Sequence, residues 1–183
     1  MLVLGIDPGT ATTGYGVIDV PDNTDLITFK KFGCIMTPKE AEMPARLLTL
    51  RDQLAQLITI YKPDCIAVEK LFFGVNARSA MSVGQARGVV MVTAEERRVP
   101  IFEYQGLVVK LKLTGYGRAA KSDIQKAVLN YLGKKELPKP TDQNGKSAWS
   151  FRDDAYDAVA IAIYHAIALK ETDAKEEKRV QKK

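Results

Sequence analysis

Two short apolar runs in this sequence each end in a carboxylate. Leu4-Gly5-Ile6 leads into Asp7, and Ile66-Ala67-Val68 leads into Glu69. If the two runs form adjacent parallel strands, their C-terminal ends share one edge of the sheet, where open α/β sheets place their sites. Further along, Asp153-Asp154-Ala155-Tyr156-Asp157 opens a segment that is almost wholly apolar afterwards. Asp154 and Asp157 are three apart and project from one helical face. Packed on the sheet, that helix would bring them to Asp7 and Glu69. Four carboxylates in one cleft repel, a pair about 4 Å apart costing about 4 kcal/mol at an effective dielectric of about 20. Such a cluster calls for cations, and an all-oxygen donor set at an open site suits Mg²⁺ or Mn²⁺ rather than zinc. Two such ions about 3.5–4 Å apart would activate water and stabilise the leaving oxygen of a phosphodiester. Taken singly, the acids have plainer roles: Asp7 in a turn, Glu69 at an exposed strand end, Asp153 as a helix cap. Taken together they point to a metal-dependent nuclease.

The charge pattern agrees. Lys and Arg number 27 against 22 Asp and Glu, a formal net charge of +5. From Lys70 to Ala94 there is no acid, while Lys70, Arg78 and Arg87 are present; from Tyr104 to Ser122 there is again none, with Lys110, Lys112, Arg118 and Lys121. Two acid-free basic segments suit a phosphate-facing surface, and chance clustering on a solvated face is the plainer alternative. The two cysteines, Cys34 and Cys65, lack metal-ligand spacing and suggest no disulfide framework. The N-terminus has neither the basic region nor the apolar length of a signal peptide. The best apolar run, Ala158 to Leu169, is too short to span a bilayer. A soluble protein of the reducing cytoplasm, without membrane contact, is expected.

The elements that must position these residues follow from periodicity. Leu2 to Ile6, Gly14 to Val20 and Leu26 to Ile35 read as three strands of a meander, with Asp22-Asn23 as a turn. Leu47, Leu50, Leu54, Leu57, Ile58 and Tyr61 recur at helical spacing behind Pro44. Cys65 to Val68 is a buried strand, 76–98 a long helix rich in small residues, and Ile101 to Tyr104 a short strand. Helices follow over 105–113 and 122–132, then a loop over 137–150, then a last helix over 153–169. This order gives an α/β mixed sheet flanked by helices, in a single domain over 1–170. Residues 171–183 carry five basic and four acidic side chains and almost nothing apolar, so a disordered charged tail is expected.

Asp7-Pro8-Gly9-Thr10, with Gly14-Tyr15-Gly16 behind it, also resembles the first phosphate loop of actin-like ATPases and sugar kinases. Those proteins need two similar lobes, and no second Gly-rich hairpin is present. A wider set of motifs is more specific. Gly5-Ile6-Asp7-Pro8-Gly9, Gly14-Tyr15-Gly16-Val17, Val68-Glu69, Gly84-Gln85-Ala86-Arg87-Gly88, Phe102-Glu103-Tyr104 and Asp154-Ala155-Tyr156-Asp157-Ala158 together resemble the RuvC family of Holliday-junction resolvases, in order, over roughly Leu2 to Leu169. The resemblance implies a ribonuclease H-like fold and a homodimer. It implies Mg²⁺-dependent paired nicks in opposed strands of a four-way DNA junction, with Mn²⁺ able to substitute and a modest local sequence preference. It also implies recombination and repair alongside the RuvA and RuvB branch-migration proteins. By motif position Asp7, Glu69, Asp154 and Asp157 carry over as catalytic metal ligands. Lys110 and Lys121 match basic residues near the scissile phosphate, and Phe72 matches an aromatic that stacks on a base near the crossover. Phe73 follows directly, so either ring could stack. Asp153 precedes Asp154, and motif spacing pairs Asp154 with Asp157. The stretch from Lys134 to Arg152 is longer than the family's usual link.

Two other functions share parts of this pattern. A related ribonuclease H-like nuclease acting on RNA or ordinary duplex would use the same acids without the paired-nick geometry. A non-catalytic DNA-binding module would not need four converging acids. His165, the only histidine, lies eight residues past Asp157 and reads as buried packing rather than catalysis. Trp149 reads as an anchor or a core residue. Ala80, Gly84 and Gly88 recur every four positions on the long helix, which permits close approach by another subunit or by DNA.

Overall fold

A computed structural model describes the backbone of residues 1–21, 26–70 and 77–180, with side chains throughout except in 77–79 and 173–180. Three antiparallel strands open the chain, β1 (Leu2–Asp7), β2 (Thr12–Asp19) and β3 (Thr28–Met36). Then come α1 (Met43–Tyr61), β4 (Cys65–Lys70), α2 (Ala77–Glu96) and β5 (Ile101–Gln105). Three helices finish it: α3 (Gly106–Thr114), α4 (Lys121–Tyr131) and, after a 3₁₀ turn at Trp149–Phe151, α5 (Arg152–Val180). The sheet runs β3-β2-β1-β4-β5, with β1, β4 and β5 mutually parallel. This is the ribonuclease H-like mixed sheet that the motifs imply. The Asp22-Asn23 turn and both candidate stacking rings, Phe72 and Phe73, lie outside the described residues. No helix among the described residues is long and apolar enough to cross a membrane.

Strand alternation sorts side chains into two cores. Leu4, Ile6, Val17, Ile66 and Val68 face α1 and α2, meeting Leu50, Leu54, Ile58, Ala86 and Val90. Val3, Ile18, Phe32, Cys65 and Ala67 face α3, α4 and α5, meeting Val109, Ile124, Val128, Val159 and Ile163. The helix α5 lies across β1 and β2 on this second face. Its approach is close because the strands offer glycine where it crosses. A Cβ on Gly5 would overlap the Ala158 carbonyl, one on Gly14 the Asp154 carbonyl, and one on Gly16 the Val159 side chain.

One region differs from expectation. Helix α5 continues through Val180 into the segment expected to be a disordered tail. The Glu, Lys, Ala and Arg that disqualify it from a core are good helix formers, so an existing helix extends through them at little cost. The expected loop over 137–150 is present and is tied to the sheet. Thr141 accepts the Cys34 amide at 3.1 Å, and Gln143 both accepts from Met36 N at 2.9 Å and donates to its carbonyl at 2.7 Å. The loop thereby covers the free edge of β3, which would otherwise present unpaired amides to other strands.

The glycine approach has a measurable consequence. Gly5→Val drives a side chain into the α5 backbone, which cannot yield as a flexible side chain would. Overpacking of this kind costs about 1–3 kcal/mol, read as a lower urea midpoint. An unchanged midpoint would mean that α5 does not lie against β1.

Candidate active site

Alternation and register together bring the acids to one place. Ile6 pairs with Val68 across the parallel β1–β4 contact, so Asp7 and Glu69 stand side by side one residue later. Both point to the α5 face, since Val3 and Cys65, an even number of residues earlier, do so. Gly14 lets the first turn of α5 press onto β2 at Asp154, which aims Asp154 and Asp157 at the same ground. The turn after Asp7 is held from three sides. Thr13 Oγ1 accepts the Gly9 amide at 3.2 Å and donates to its carbonyl at 2.7 Å. The Thr10 carbonyl accepts from Thr37 Oγ1 at 2.5 Å and from Arg46 Nη2 at 2.8 Å. With the Gly9 amide spent internally, this turn holds Asp7 in place rather than cradling a phosphate.

Electrostatics ties the four acids into one cluster. Burial raises the Asp7 carboxyl well above its ordinary value, aided by repulsion from Glu69 and Asp157, a side-chain hydrogen bond with Glu69 and repulsion from Asp154. Only a protonated carboxyl can donate that bond. Burial also lifts Asp157 to about 6; Glu69 and Asp154 push it up while Lys110 and Lys121 pull it down. Asp154 is raised too, by burial and Asp153, against Lys121. Lys110 on α3 and Lys121 at the start of α4 therefore lie near enough to act on Asp157, and Lys121 on Asp154 as well. Even so, among the described residues no three acid, histidine or cysteine side chains close on a single point as a finished cation site would. Bare carboxylates repel, and an open set of oxygen donors held only by protons and two lysines is one that hard divalent cations fit.

Asp153 has a different role from the expected cap. The helix begins one residue earlier, at Arg152. Asp153 instead accepts from Gln125 Nε2 at 2.8 Å and pairs with Lys121 Nζ at 3.2 Å, fastening α5 to α4. Two charged or polar partners on a neighbouring helix outbid the free amides of its own first turn. Asp153 raises its neighbour Asp154, while Asp154 helps to raise both Asp7 and Asp157.

A cavity of about 490 Å³ opens beside Asp7 and Glu69, walled also by Pro8, Lys70, Val83, Gln105, Gly106 and Leu107. The last four were not singled out from sequence. A Cβ on Gly106 would overlap the Glu69 carboxylate, so this glycine makes room for it; a glycine at a strand-to-helix junction was the available signal. The basic segments divide. Arg87 turns to Glu103, with Nε 2.8 Å from Oε1, and Lys112 pairs with Glu171, so neither is an unengaged phosphate contact. Lys70 and Arg118 are exposed. His165 is fully buried, as expected, and burial lowers it to about 4. Trp149 is about half exposed, with the Arg152 guanidinium 4.9 Å from its ring centroid.

Residues 3–165 match the family model described as crossover junction endodeoxyribonuclease RuvC. A protein of that name from Caldicellulosiruptor saccharolyticus is 41% identical over 168 residues, covering 92% of this chain and 93% of the relative. One from Desulforamulus reducens is 44% identical over 167 residues, covering 91% and 93%. Thermus thermophilus RuvC in complex with a Holliday junction substrate superposes with a TM-score of 0.79 at 31% identity, covering 94% of this chain and 96% of the other.

The raised acids set a pH signature. Unfolded, an Asp ionises near 3.8, while folded Asp157 keeps its proton to about 6. Below 3.8 both states are protonated and Asp157 costs nothing. As pH rises toward 6 the unfolded state ionises first, so stability falls by up to about 3 kcal/mol and stays lower above 6. Asp157→Asn should therefore raise the Tm of metal-free protein at pH 7.5, and the gain should vanish near pH 3.5. Mg²⁺ should stabilise the wild type more than the variant. A variant less stable than wild type in EDTA at pH 7.5 would contradict the cluster.

Proposed function

The chain belongs to the RuvC family of crossover junction endodeoxyribonucleases, and from that premise we propose that it resolves Holliday junctions by metal-dependent nicks in opposed strands. One observation carries the proposal. Asp7, Glu69, Asp154 and Asp157, drawn from two strands and one helix, act on one another electrostatically at the C-terminal edge of the sheet.

These four acids are the ligands we assign to Mg²⁺, with Mn²⁺ able to substitute and two ions per site. When bound, such ions supply Lewis acidity and a water nucleophile at neutral pH. The chain's own groups do the rest. Lys110 and Lys121, both close enough to act on Asp157, hold the phosphate that the carboxylates alone would repel. Lys121, paired with Asp153 in the free protein, would share or exchange that contact to meet charge that develops on the phosphate. The cavity beside Asp7 and Glu69, with apolar walls at Pro8, Val83 and Leu107, takes the nucleotide next to the cut. Phe72 stacks on a base near the crossover, on the strength of the family resemblance.

A four-way junction has two opposed strands to cut, and two-fold symmetry supplies two sites. Helix α2 offers a surface for pairing: Met81 is 72% exposed and Val92 60%, three turns apart on one face with Gly88 between them. We assign that face to a homodimer. On the family resemblance we assign the enzyme to recombination and repair in the cytoplasm, alongside RuvA and RuvB.

One set of assays tests this reading. Wild type, given a synthetic four-way junction, a linear duplex and an RNA–DNA hybrid, should nick the junction with Mg²⁺ and nothing with EDTA. Asp7→Asn should still shift the junction in a gel, with undiminished affinity, and cut it at least about 10³-fold more slowly. Light scattering should give about twice the 20.2 kDa chain mass, and Val92→Glu should halve it. Preference for the hybrid, or loss of binding in a folded Asp7→Asn, would overturn the assignment.

A further inference from the structure

The side chain of His165 is fully buried, eight residues beyond Asp157 on α5. Its Nδ1 lies 2.7 Å from the Tyr104 hydroxyl on β5, and its Nε2 lies 3.2 Å from Cys65 Sγ on β4. The Phe102 ring packs on it at 4.5 Å. A neutral imidazole offers one donor and one acceptor, so Tyr104 and Cys65 satisfy it in complementary roles. The positions of these partners matter. Cys65 stands on the strand that carries Glu69, and Tyr104 is the residue that pairs with Glu69 across β4 and β5. One imidazole thus ties the helix bearing Asp154 and Asp157 to the two strands that locate Glu69.

At its first turn α5 is held to α4 by Asp153 with Lys121 and Gln125. Over β1 and β2 the contact is apolar, Gly5, Gly14 and Gly16 meeting Ala155, Ala158, Val159 and Ala162, and apolar contact sets distance more firmly than phase. A rotation of about 20° moves a side-chain tip, about 6 Å from the helix axis, by about 2 Å. A displacement of about 1 Å at reacting groups can cost about a hundredfold in rate. Directional bonds are what fix the phase.

We propose that the Tyr104–His165–Cys65 chain is a positioning device that sets the rotation and axial register of α5, and with it where Asp154 and Asp157 stand relative to Asp7 and Glu69. The proposal rests on the metal-site reading above. His165, about 12 Å along the α5 axis from Asp157, and Tyr104, on β5, are positioning residues and touch no substrate.

Tyr104→Phe removes a single hydroxyl and keeps the ring. Measured well below Tm, it should leave the junction Kd within about twofold of wild type. Its single-turnover nicking rate should fall about tenfold, and the Mg²⁺ concentration for half-maximal rate should rise several-fold. Mg²⁺ affinity by calorimetry, without DNA, should weaken in parallel. His165→Leu should be worse on both counts. His165→Asn, whose carbonyl can take the Tyr104 hydrogen bond, should recover part of the loss. A chain that merely fills the core would lower Tm while leaving the Mg²⁺ midpoint and the nicking rate of the folded protein unchanged, and that result would overturn the proposal. If His165→Leu does not fold, Tyr104→Phe alone decides. Should wild type fail to nick junctions at all, the functional reading fails, and Mg²⁺ affinity still decides the positioning role.

Discussion

Repulsion among four carboxylates on a half-buried sheet face is the constraint from which the rest of this structure follows. Left to themselves, such groups would part or stay protonated, and Asp7 and Asp157, desolvated by burial and repelled by their neighbours, keep their protons above the ordinary range. The fold must therefore hold them by force supplied elsewhere. Two apolar cores, one on each face of the sheet, supply it. Stability surrendered at the site is what makes it ready for cations and phosphate, an exchange common at functional sites.

Holding the acids is largely a matter of what is missing. Gly5, Gly14 and Gly16 carry no Cβ where α5 crosses, and Gly106 carries none where the Glu69 carboxylate lies. Each omission lets a backbone or carboxylate come closer than any other residue would allow. Close packing of this sort sets distance but not phase. Polar contacts set phase: Asp153 with Lys121 and Gln125 at the first turn of α5, His165 with Tyr104 and Cys65 two turns past Asp157. The two fastenings bracket Asp154 and Asp157.

Much of this was legible in the residues. The period-two pattern that ends in Asp7 and Glu69 states both the strand and the face, and the three-residue spacing of Asp154 and Asp157 states the helix. What was hidden depends on partners far away in sequence. Arg87 reads as a phosphate contact until β5 brings Glu103 beside it, and Asp153 reads as a cap until α4 offers Lys121 and Gln125. Gln105, Gly106 and Leu107 become a cavity wall only because β5 lies next to β4. The loop over 137–150 looks structureless because its order comes from Thr141 and Gln143 bonding to β3, which no local propensity records.

The most direct test of the account is the titration of the side-chain carboxyl carbons by NMR, in labelled metal-free protein and again with Mg²⁺. The cluster predicts that Asp157 titrates near 6 and Asp7 well above the ordinary 3.8 of an aspartate, and that Mg²⁺ drives both sharply downward together. Four acids that all titrate in the ordinary carboxylate range, indifferent to Mg²⁺, would show that they do not share a site.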